Sequence, residues 1–286
     1  MRGIILAAGK GSRLNGTIGD KPKCLLRVGG KTLVERQIEA LQAVGISDIS
    51  VIVGCQAEAV RRTCGARITY VENSRFAQTN SLYSLWLARP LLYDGFVVMN
   101  CDVLFHPQML RDLVTSRYED ALLIAYQESD ADPLGDEEMK VRVRRGRVAA
   151  IAKTLPADDA DGENVGIVKF GRDGARVLAG LLDQHVGAGG LRDWAPKAFA
   201  DFAQLRSLHA IGTRGLPWTE IDFPEDYVHA VRTILPAIED DVTVAAGGRS
   251  TSNTAVIEQP DATIIVRGVR LGPGLGNMPL SPASGE

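Results

Sequence analysis

The sequence predicts an α/β protein with a Rossmann-like, mixed but mainly parallel sheet, helices on both faces and a small β-hairpin subregion. Short apolar runs such as Ile4-Ile5-Leu6 are typical of strands that are buried on both faces. Strand and helix patterns alternate over residues 4–71 in the order β-α-β-α-β, which favours a parallel sheet. Two strand-like segments around Arg145-Gly146 add the hairpin.

The individual elements can be assigned in order along the chain. Val34, Ile38 and Leu41 lie at helical spacing within residues 33–44, and Gly45 ends that helix. The remaining predicted elements are strands at 49–53, 67–71, 96–100, 121–126 and 162–170, hairpin strands at 140–143 and 148–151, and helices at 56–63, 172–185 and 194–202.

The composition of the chain changes after Pro236. We expect residues 1–235 to form one domain and residues 236–286 to be a linker and a partly disordered tail. Within this tail, residues 243–254 are rich in Gly, Ser and Thr, residues 263–266 have the pattern of a strand, and residues 272–286 are rich in Gly, Pro and Ser.

Composition and charge exclude several classes of protein. The 286 residues carry a formal net charge of -3, so we expect any basic site to be local and no nucleic acid to bind. The four cysteines form no Cys-x-x-Cys pair, which favours reduced thiols. No apolar run approaches the ~20 residues of a membrane span. We therefore expect a cytoplasmic protein with small-molecule substrates. Homo-oligomerisation through the tail is left open.

A glycine-rich, basic loop follows the first strand. Small residues let the backbone approach a ligand closely, and a row of free N–H groups attracts an anion. Cationic side chains surround the loop at Lys10, Arg13, Lys21 and Lys23. The pattern predicts a triphosphate site, with a glycine-rich turn and solvated lysines as the alternative. The loop residues are Ala7, Ala8, Gly9, Lys10, Gly11 and Ser12.

Two other phosphate-binding motifs do not fit this part of the sequence. The dinucleotide fingerprint requires a small residue where Leu14 stands. The segment Gly30-Lys31-Thr32 lacks the earlier glycine of a P-loop, because Leu25 occupies that position. What remains is a strand, then Ala-Ala-Gly-x-Gly-x-Arg, then Pro-Lys.

Two distant aspartates are candidate metal ligands. Asp102 follows the apolar strand 96–100, and a carboxylate at a strand's carboxyl end beside a triphosphate loop suits Mg²⁺. Glu220 and Asp222 lie on the same face of an extended segment, so Asp222 is the second candidate and Glu220 supports it. The alternatives are an N-cap for Asp102 and an acidic helix start for the other two.

Further polar residues have two interpretations each. Asn80 and Ser81 at a helix start could hydrogen-bond a nucleotide base or serve only as caps. Lys153 at the hairpin's end could meet an acceptor phosphate or be an ordinary surface lysine. The acidic stretches at 129–138 and 155–164 fit solvated loops, or the edge of an acceptor pocket that attracts an amine.

Residues 1–235 resemble the nucleotidyltransferase superfamily, through the loop signature followed by Pro22-Lys23. Shorter segments resemble its branch of CTP:phosphocholine cytidylyltransferases, which also includes cytidylyltransferases for phosphonates. These segments are 79–85, 139–141, 151–153, 162–167 and 220–222. One departure is Cys101, which stands where many members of the superfamily have glycine.

The resemblance implies roles for the candidate residues. It implies Mg²⁺ as the cofactor on Asp102 and Asp222, and recognition of cytosine near Asn80. The implied catalytic residues are Arg13, Lys23 and Lys153. The implied nucleotide-binding residues are Leu6, Ala7, Ala8, Gly9, Lys10, Gly11, Ser12, Asn80 and Ser81, and the acceptor-side residues are Glu163 and Glu220.

The expected activity is therefore transfer of a cytidylyl group from CTP to a small phosphorylated or phosphonate acceptor, with release of pyrophosphate. A phosphomonoester is about doubly ionised near neutral pH, because its second pKa is ~6. Its oxygen can therefore attack without a protein general base. Two alternatives stay open at this point. One is a sugar-1-phosphate nucleotidyltransferase that uses UTP, GTP or dTTP, and the other is a catalytically inactive nucleotide sensor.

Overall fold

A mixed β-sheet forms the centre of the protein in a computed structural model that describes residues 1–14, 21–127 and 134–245. The strands of these ranges are β1 (Arg2–Ala7), β2 (Arg27–Val28), β3 (Lys31–Thr32), β4 (Ile49–Val53), β5 (Thr69–Glu72), β6 (Phe96–Asn100), β7 (Val103–Phe105), β8 (Ala121–Tyr126), β9 (Lys140–Arg144), β10 (Arg147–Ala152), β11 (Gly162–Phe170), β12 (His209–Gly212) and β13 (Trp218–Glu220). The α-helices are α1 (Leu33–Ala43), α2 (Ala57–Cys64), α3 (Ser81–Leu87), α4 (Pro107–Thr115), α5 (Arg172–Gly187), α6 (Ala195–Leu205), α7 (Pro224–His229) and α8 (Leu235–Ala245).

The main sheet of the described chain has the strand order β5-β4-β1-β6-β11-β8-β12-β10-β9. Strands β5, β4, β1 and β6 are parallel to one another, as the alternating pattern predicted. Strand β11 runs antiparallel to both of its neighbours, β6 and β8, which makes the sheet mixed. The carboxyl ends of β1 and β6 lie side by side, with Leu6 opposite Asn100. This edge is where the predicted loop and Asp102 meet.

The predicted hairpin consists of β9 and β10 and is confirmed. Strand β9 also pairs with β11, where Lys140 is opposite Glu163. As a result, β11, β8, β12, β10 and β9 are hydrogen-bonded in a closed ring. Strand β12 was not predicted, because its four residues, His-Ala-Ile-Gly, carry no alternating apolar pattern.

Helices cover both faces of the sheet, as expected for strands that are apolar throughout. Alternate residues of β1 point to opposite faces, so Ile4 belongs to one buried cluster and Ile5 to the other. The first cluster contains Leu82, Leu178 and other buried residues of α3, α5 and α6. The second contains buried residues of α1, α2 and α4. The two layers hold the sheet edge that carries the loop.

A third apolar cluster joins the loop region to the C-terminal helices. It includes Leu14, Ile221 and Ile238. Residues Ala230–Ile234 form a π-helical turn between α7 and α8. Pro236 lacks the N–H that would continue the regular helical bonds, which accounts for this local change. The expected domain boundary after residue 235 falls at the start of α8, whose Ile238 is buried.

The rest of the predicted tail, residues 246–286, lies outside the described residues, and so do the strand predicted at 263–266 and the disorder predicted at 272–286. Among the helices of the described ranges, none combines the length and the apolar composition needed to cross a bilayer.

Candidate active site

A pair of short strands brings the two predicted metal ligands together. Strand β7 follows Asp102 directly, and β13 pairs antiparallel with it, placing Glu220 opposite Val103. The N–H of Ile221 then donates to the carbonyl oxygen of Asp102 at 3.0 Å. Carboxylate oxygens of Asp102, Glu220 and Asp222 lie within 4.8 Å of one another as a result. The residues predicted from distant parts of the sequence therefore form one acidic cluster.

This acidic cluster fits a divalent cation by its chemistry. Its donors are hard carboxylate oxygens, which Mg²⁺ prefers. The Oδ1 atom of Asp102 is buried and makes no hydrogen bond, so it has free lone pairs for a cation. Burial and the neighbouring charge of Asp102 raise the pKa of Glu220 to about 8. A bound cation would relieve this excess of negative charge.

The predicted phosphate-binding cations lie against the same carboxylates. Lys23 begins a short 3-10 turn after Pro22. Its ammonium group is 3.2 Å from Oδ2 of Asp102 and also contacts Oδ1 of Asp222. Arg13 lies 3.3 Å from the other oxygen of Asp222. Both cations are thus placed between the loop and the acidic cluster.

The loop lines a cavity of about 350 Å³ at the carboxyl ends of β1 and β6. Gly11 has a φ of +67°, and a Cβ there would come within 2.7 Å of Cγ of Lys23, so glycine lets the loop and the lysine pack closely. Ala7 is fully buried in the core, and Lys10 is exposed with its ammonium 5.8 Å from the ring of Phe76. The predicted site residues that line the cavity are Leu6, Ala8, Gly9, Gly11, Ser12, Arg13, Lys23, Asn80, Ser81, Asp102, Glu220 and Asp222.

The start of α3 forms the far wall of this cavity. Asn80 is the N-cap, and its Oδ1 accepts a hydrogen bond from the N–H of Ser81 at 2.8 Å. The hydroxyl of Ser81 accepts one from the N–H of Ala195 at 2.8 Å. Both residues therefore act as caps and also line the cavity. The structure leaves room for both interpretations of this pair.

Two wall residues near α3 were not singled out from the sequence. Asn73 is buried, and its side-chain amide donates to Thr79 and to Ser84 at 3.0 and 3.1 Å. Phe76 lies over Gly54, where an added Cβ would come within 2.8 Å of Cβ of Phe76. An asparagine before a helix start is a common turn residue, so the sequence offered no specific signal.

The predicted acceptor-side residues lie beside the cavity. Lys153 and Glu163 are not among its lining residues, whereas Glu220 is. The ammonium of Lys153 is 3.1 Å from Glu137 and 4.9 Å from the ring centre of Trp194, which does line the cavity. Burial and the nearby Glu138 carboxylate raise the pKa of Glu163 to about 7.

A buried glutamine and a buried cysteine support the Asp102 turn from below. The side-chain amide of Gln37 donates to the carbonyl oxygens of Asn100 and Val103 at 2.7 and 3.1 Å. Cys101 is buried, and a hydrogen bond with Cys24 together with burial holds the pKa of its thiol well above the usual value. Gln37 lies on the buried face of α1, and the helical pattern of the sequence gives no signal for this role.

A mixed α/β fold in which a small-residue basic loop faces an acidic cluster defines a nucleotide-binding protein of the nucleotidyltransferase type. The family described as "MobA-like NTP transferase domain" matches residues 3–199, and the chain belongs to this family. The superfamily resemblance noted in the sequence is therefore confirmed.

Individual relatives agree with this assignment. A bifunctional IPC transferase and DIPP synthase from Rubrobacter xylanophilus is 32% identical over 226 residues, which are 78% of this chain and 49% of that protein. The choline-phosphate cytidylyltransferase of Streptococcus pneumoniae is 38% identical over 121 residues, or 41% of this chain and 52% of that protein. The chain thus spans about half the length of these two relatives.

A solved structure shows the same fold. The inositol-1-phosphate CTP transferase from T. maritima has a TM-score of 0.68 and 21% sequence identity, covering 85% of this chain and 96% of that one. The predicted Rossmann-like α/β fold is confirmed.

Proposed function

We propose that the protein is a Mg²⁺-dependent cytidylyltransferase that joins CTP to a small phosphorylated or phosphonate acceptor and releases pyrophosphate. One observation carries this proposal, the convergence of Lys23 and Arg13 with Asp102 and Asp222 beside the glycine-rich loop. The relatives named for cytidylyl or CTP transfer support CTP as the nucleotide.

The loop and its cations suit the triphosphate. Backbone N–H groups of the loop would face the phosphates, and Lys23 and Arg13 would supply positive charge. Two like charges ~4 Å apart repel by roughly 4 kcal/mol at an effective dielectric of 20, so bringing two phosphates together requires such cations. Asn80 and Ser81 on the far wall are the candidates for contact with cytosine.

Asp102 and Asp222 are the residues that would hold Mg²⁺, with Glu220 beside them. When bound, the ion would neutralise phosphate charge and stabilise the leaving pyrophosphate. The free Oδ1 of Asp102 and the hard oxygen donors support this assignment.

The chemical step needs alignment more than proton transfer. An acceptor phosphate oxygen attacks the α-phosphorus of CTP, a new P–O bond forms, and the bond to the β-phosphate oxygen breaks with its electron pair leaving on pyrophosphate. The acceptor is already a dianion above pH ~6, so no side chain has to remove a proton. We assign orientation of the acceptor to Lys153, beside the cavity, and to Trp194, in its wall.

A pyrophosphate-release assay tests this proposal directly. The full chain is incubated with Mg²⁺, each of CTP, UTP, GTP and dTTP, and a panel of choline phosphate, an aminoalkyl phosphonate, inositol 1-phosphate and a sugar 1-phosphate. We expect release with CTP and one of the first three acceptors. Preference for another nucleotide with the sugar phosphate would identify the sugar-1-phosphate enzyme. Nucleotide binding without any turnover would identify a sensor.

We expect the reaction to take place in the cytoplasm, where nucleoside triphosphates are made.

A further inference from the structure

The ammonium group of Lys23 lies between the two carboxylates that would hold a metal ion. It is 3.2 Å from Asp102 and also contacts Asp222, and its side chain is only 13% exposed. The side chain of Arg13 is more exposed, at 44%. Of the two aspartates, Arg13 contacts Asp222 only. Among the residues that the structure describes, Lys23 is therefore the cation that contacts both aspartates.

A metal ion held by Asp102 and Asp222 would lie close to this ammonium, because Lys23 contacts one oxygen of each carboxylate and leaves Oδ1 of Asp102 free. Mg²⁺ needs its oxygen ligands at about 2.1 Å. An ammonium at hydrogen-bond distance from those oxygens would be a like charge within a few ångströms of the ion. In a partly buried site that repulsion is screened little by salt. Each cation therefore weakens the binding of the other at these two carboxylates.

The stem of Lys23 lies next to the glycine-rich loop. It packs against Gly11, where an added Cβ would come within 2.7 Å of Cγ of the lysine. Gly11 belongs to the loop proposed to hold the triphosphate. The stem of Lys23 thus contacts this loop while its ammonium contacts the aspartates, so one side chain links the two sites.

We propose that Lys23 is an internal competitor of the divalent cation at Asp102 and Asp222. It neutralises the aspartates before substrates bind and moves to the triphosphate when metal and nucleotide arrive. Metal and nucleotide binding are coupled as a result, because the triphosphate gives the displaced ammonium a new partner. This inference rests on the proposed metal site.

Metal binding without nucleotide is the direct test. Mn²⁺ is titrated into the full chain and its free concentration is followed by electron paramagnetic resonance. Lys23→Met should bind Mn²⁺ at least about tenfold more tightly than the parent, which corresponds to about 1.4 kcal/mol. Turnover should fall in the same variant. If Lys23 had only a structural role, the substitution would lower both the Mn²⁺ affinity and the turnover. Lys31→Met is the matched control, because Lys31 is an exposed lysine paired with Glu39. Unchanged or weaker Mn²⁺ binding by Lys23→Met overturns the inference.

A second substitution separates this inference from the proposed site itself. Asp102→Asn in the Lys23→Met background should abolish the tight Mn²⁺ binding. If Mn²⁺ binds equally well without the Asp102 carboxylate, the metal site is elsewhere and the proposed function loses its support. If the carboxylate is required but Lys23→Met gives no gain in affinity, only the competition is wrong.

Chemical labelling keeps the inference testable if Lys23→Met does not fold. Reductive methylation of the unmodified chain is followed by mass spectrometry, with Lys31 as the internal reference. Saturating Mn²⁺ should increase methylation of Lys23 severalfold, because the displaced ammonium loses its ion pairs. Equal labelling of Lys23 with and without Mn²⁺ contradicts the exchange.

Discussion

The N–H of Ile221 donates a hydrogen bond to the carbonyl oxygen of Asp102 at 3.0 Å. This bond extends the pairing of β13 with β7, so backbone hydrogen bonds place Asp222 beside Asp102. Ile221 itself is buried in the third apolar cluster. The position of the two aspartates therefore depends on strand pairing and packing, and not on their carboxylate groups. Substitution of either carboxylate should change chemistry without changing the fold.

Asp102→Asn keeps the shape of the side chain and removes its charge. We expect turnover to fall at least about a hundredfold, the order found when one group that stabilises transition-state charge is removed. Circular dichroism and thermal melting should match the parent. Asp94→Asn, at an exposed aspartate, is the control. Near-normal turnover of Asp102→Asn would rule out Asp102 as a metal ligand.

Gln37→Leu tests how the Asp102 turn is held. The substitution removes the side-chain donor from the carbonyl oxygens of Asn100 and Val103, and each hydrogen bond lost costs about 0.5–1.5 kcal/mol. We expect a lower melting temperature. We also expect kcat to fall roughly tenfold to a hundredfold, because small misplacements of reacting groups are costly. Steady-state kinetics measure this, with Gln42→Leu on the exposed face of the same helix as the control. An unchanged kcat would mean that Gln37 stabilises the fold only.

Lys153→Met tests the acceptor side of the cavity. We expect kcat/KM for the acceptor to fall at least about tenfold, since a charge-assisted contact to phosphate is worth roughly 1.5–3 kcal/mol. The KM for CTP should change little, because Lys153 is not among the residues that line the cavity. Lys197→Met removes an exposed lysine near Trp194 and is the control. Equal losses for both substrates would contradict an acceptor-side role.

Glu163→Gln tests the buried carboxyl beside the cavity. Folding raises the pKa of Glu163 from 4.5 to about 7, so the folded state binds the proton more tightly than the unfolded state. Stability from this group is present at low pH and is lost as pH rises from about 4.5 through 7. The variant should therefore be more stable than the parent at pH 8, by up to about 3 kcal/mol since one pKa unit is worth about 1.4 kcal/mol.

Thermal or urea unfolding at several pH values measures this difference in stability. The advantage of Glu163→Gln should disappear below about pH 4, where the side chain is uncharged in both proteins, folded or unfolded. Glu119→Gln, at an exposed glutamate, should show no such trend. A variant that is less stable than the parent at pH 8 would show that the carboxylate is stabilised by its neighbours.

Local pattern was sufficient to predict most elements and the loop. The apolar strands 49–53, 96–100 and 121–126 have the expected ends, because burial on both faces leaves a continuous apolar run. The hairpin was predicted from the two strand-like segments that flank Arg145-Gly146. In the structure both of these residues adopt positive φ at the turn. The short strand β12 and the buried Gln37 carried no such pattern and were found only in the structure.

The sequence by itself determined the fold class, the glycine-rich loop with its cations and the two candidate aspartates, because these depend on residue type, spacing and local backbone preference. Only the tertiary structure decided that β11 reverses the sheet, that β7 and β13 pair to join Asp102 to Asp222, and that Lys23 lies between them. Pairing between distant segments is set by hydrogen bonds and packing summed over the whole chain. These hydrogen-bond and packing contributions cannot be read from any single stretch of the sequence.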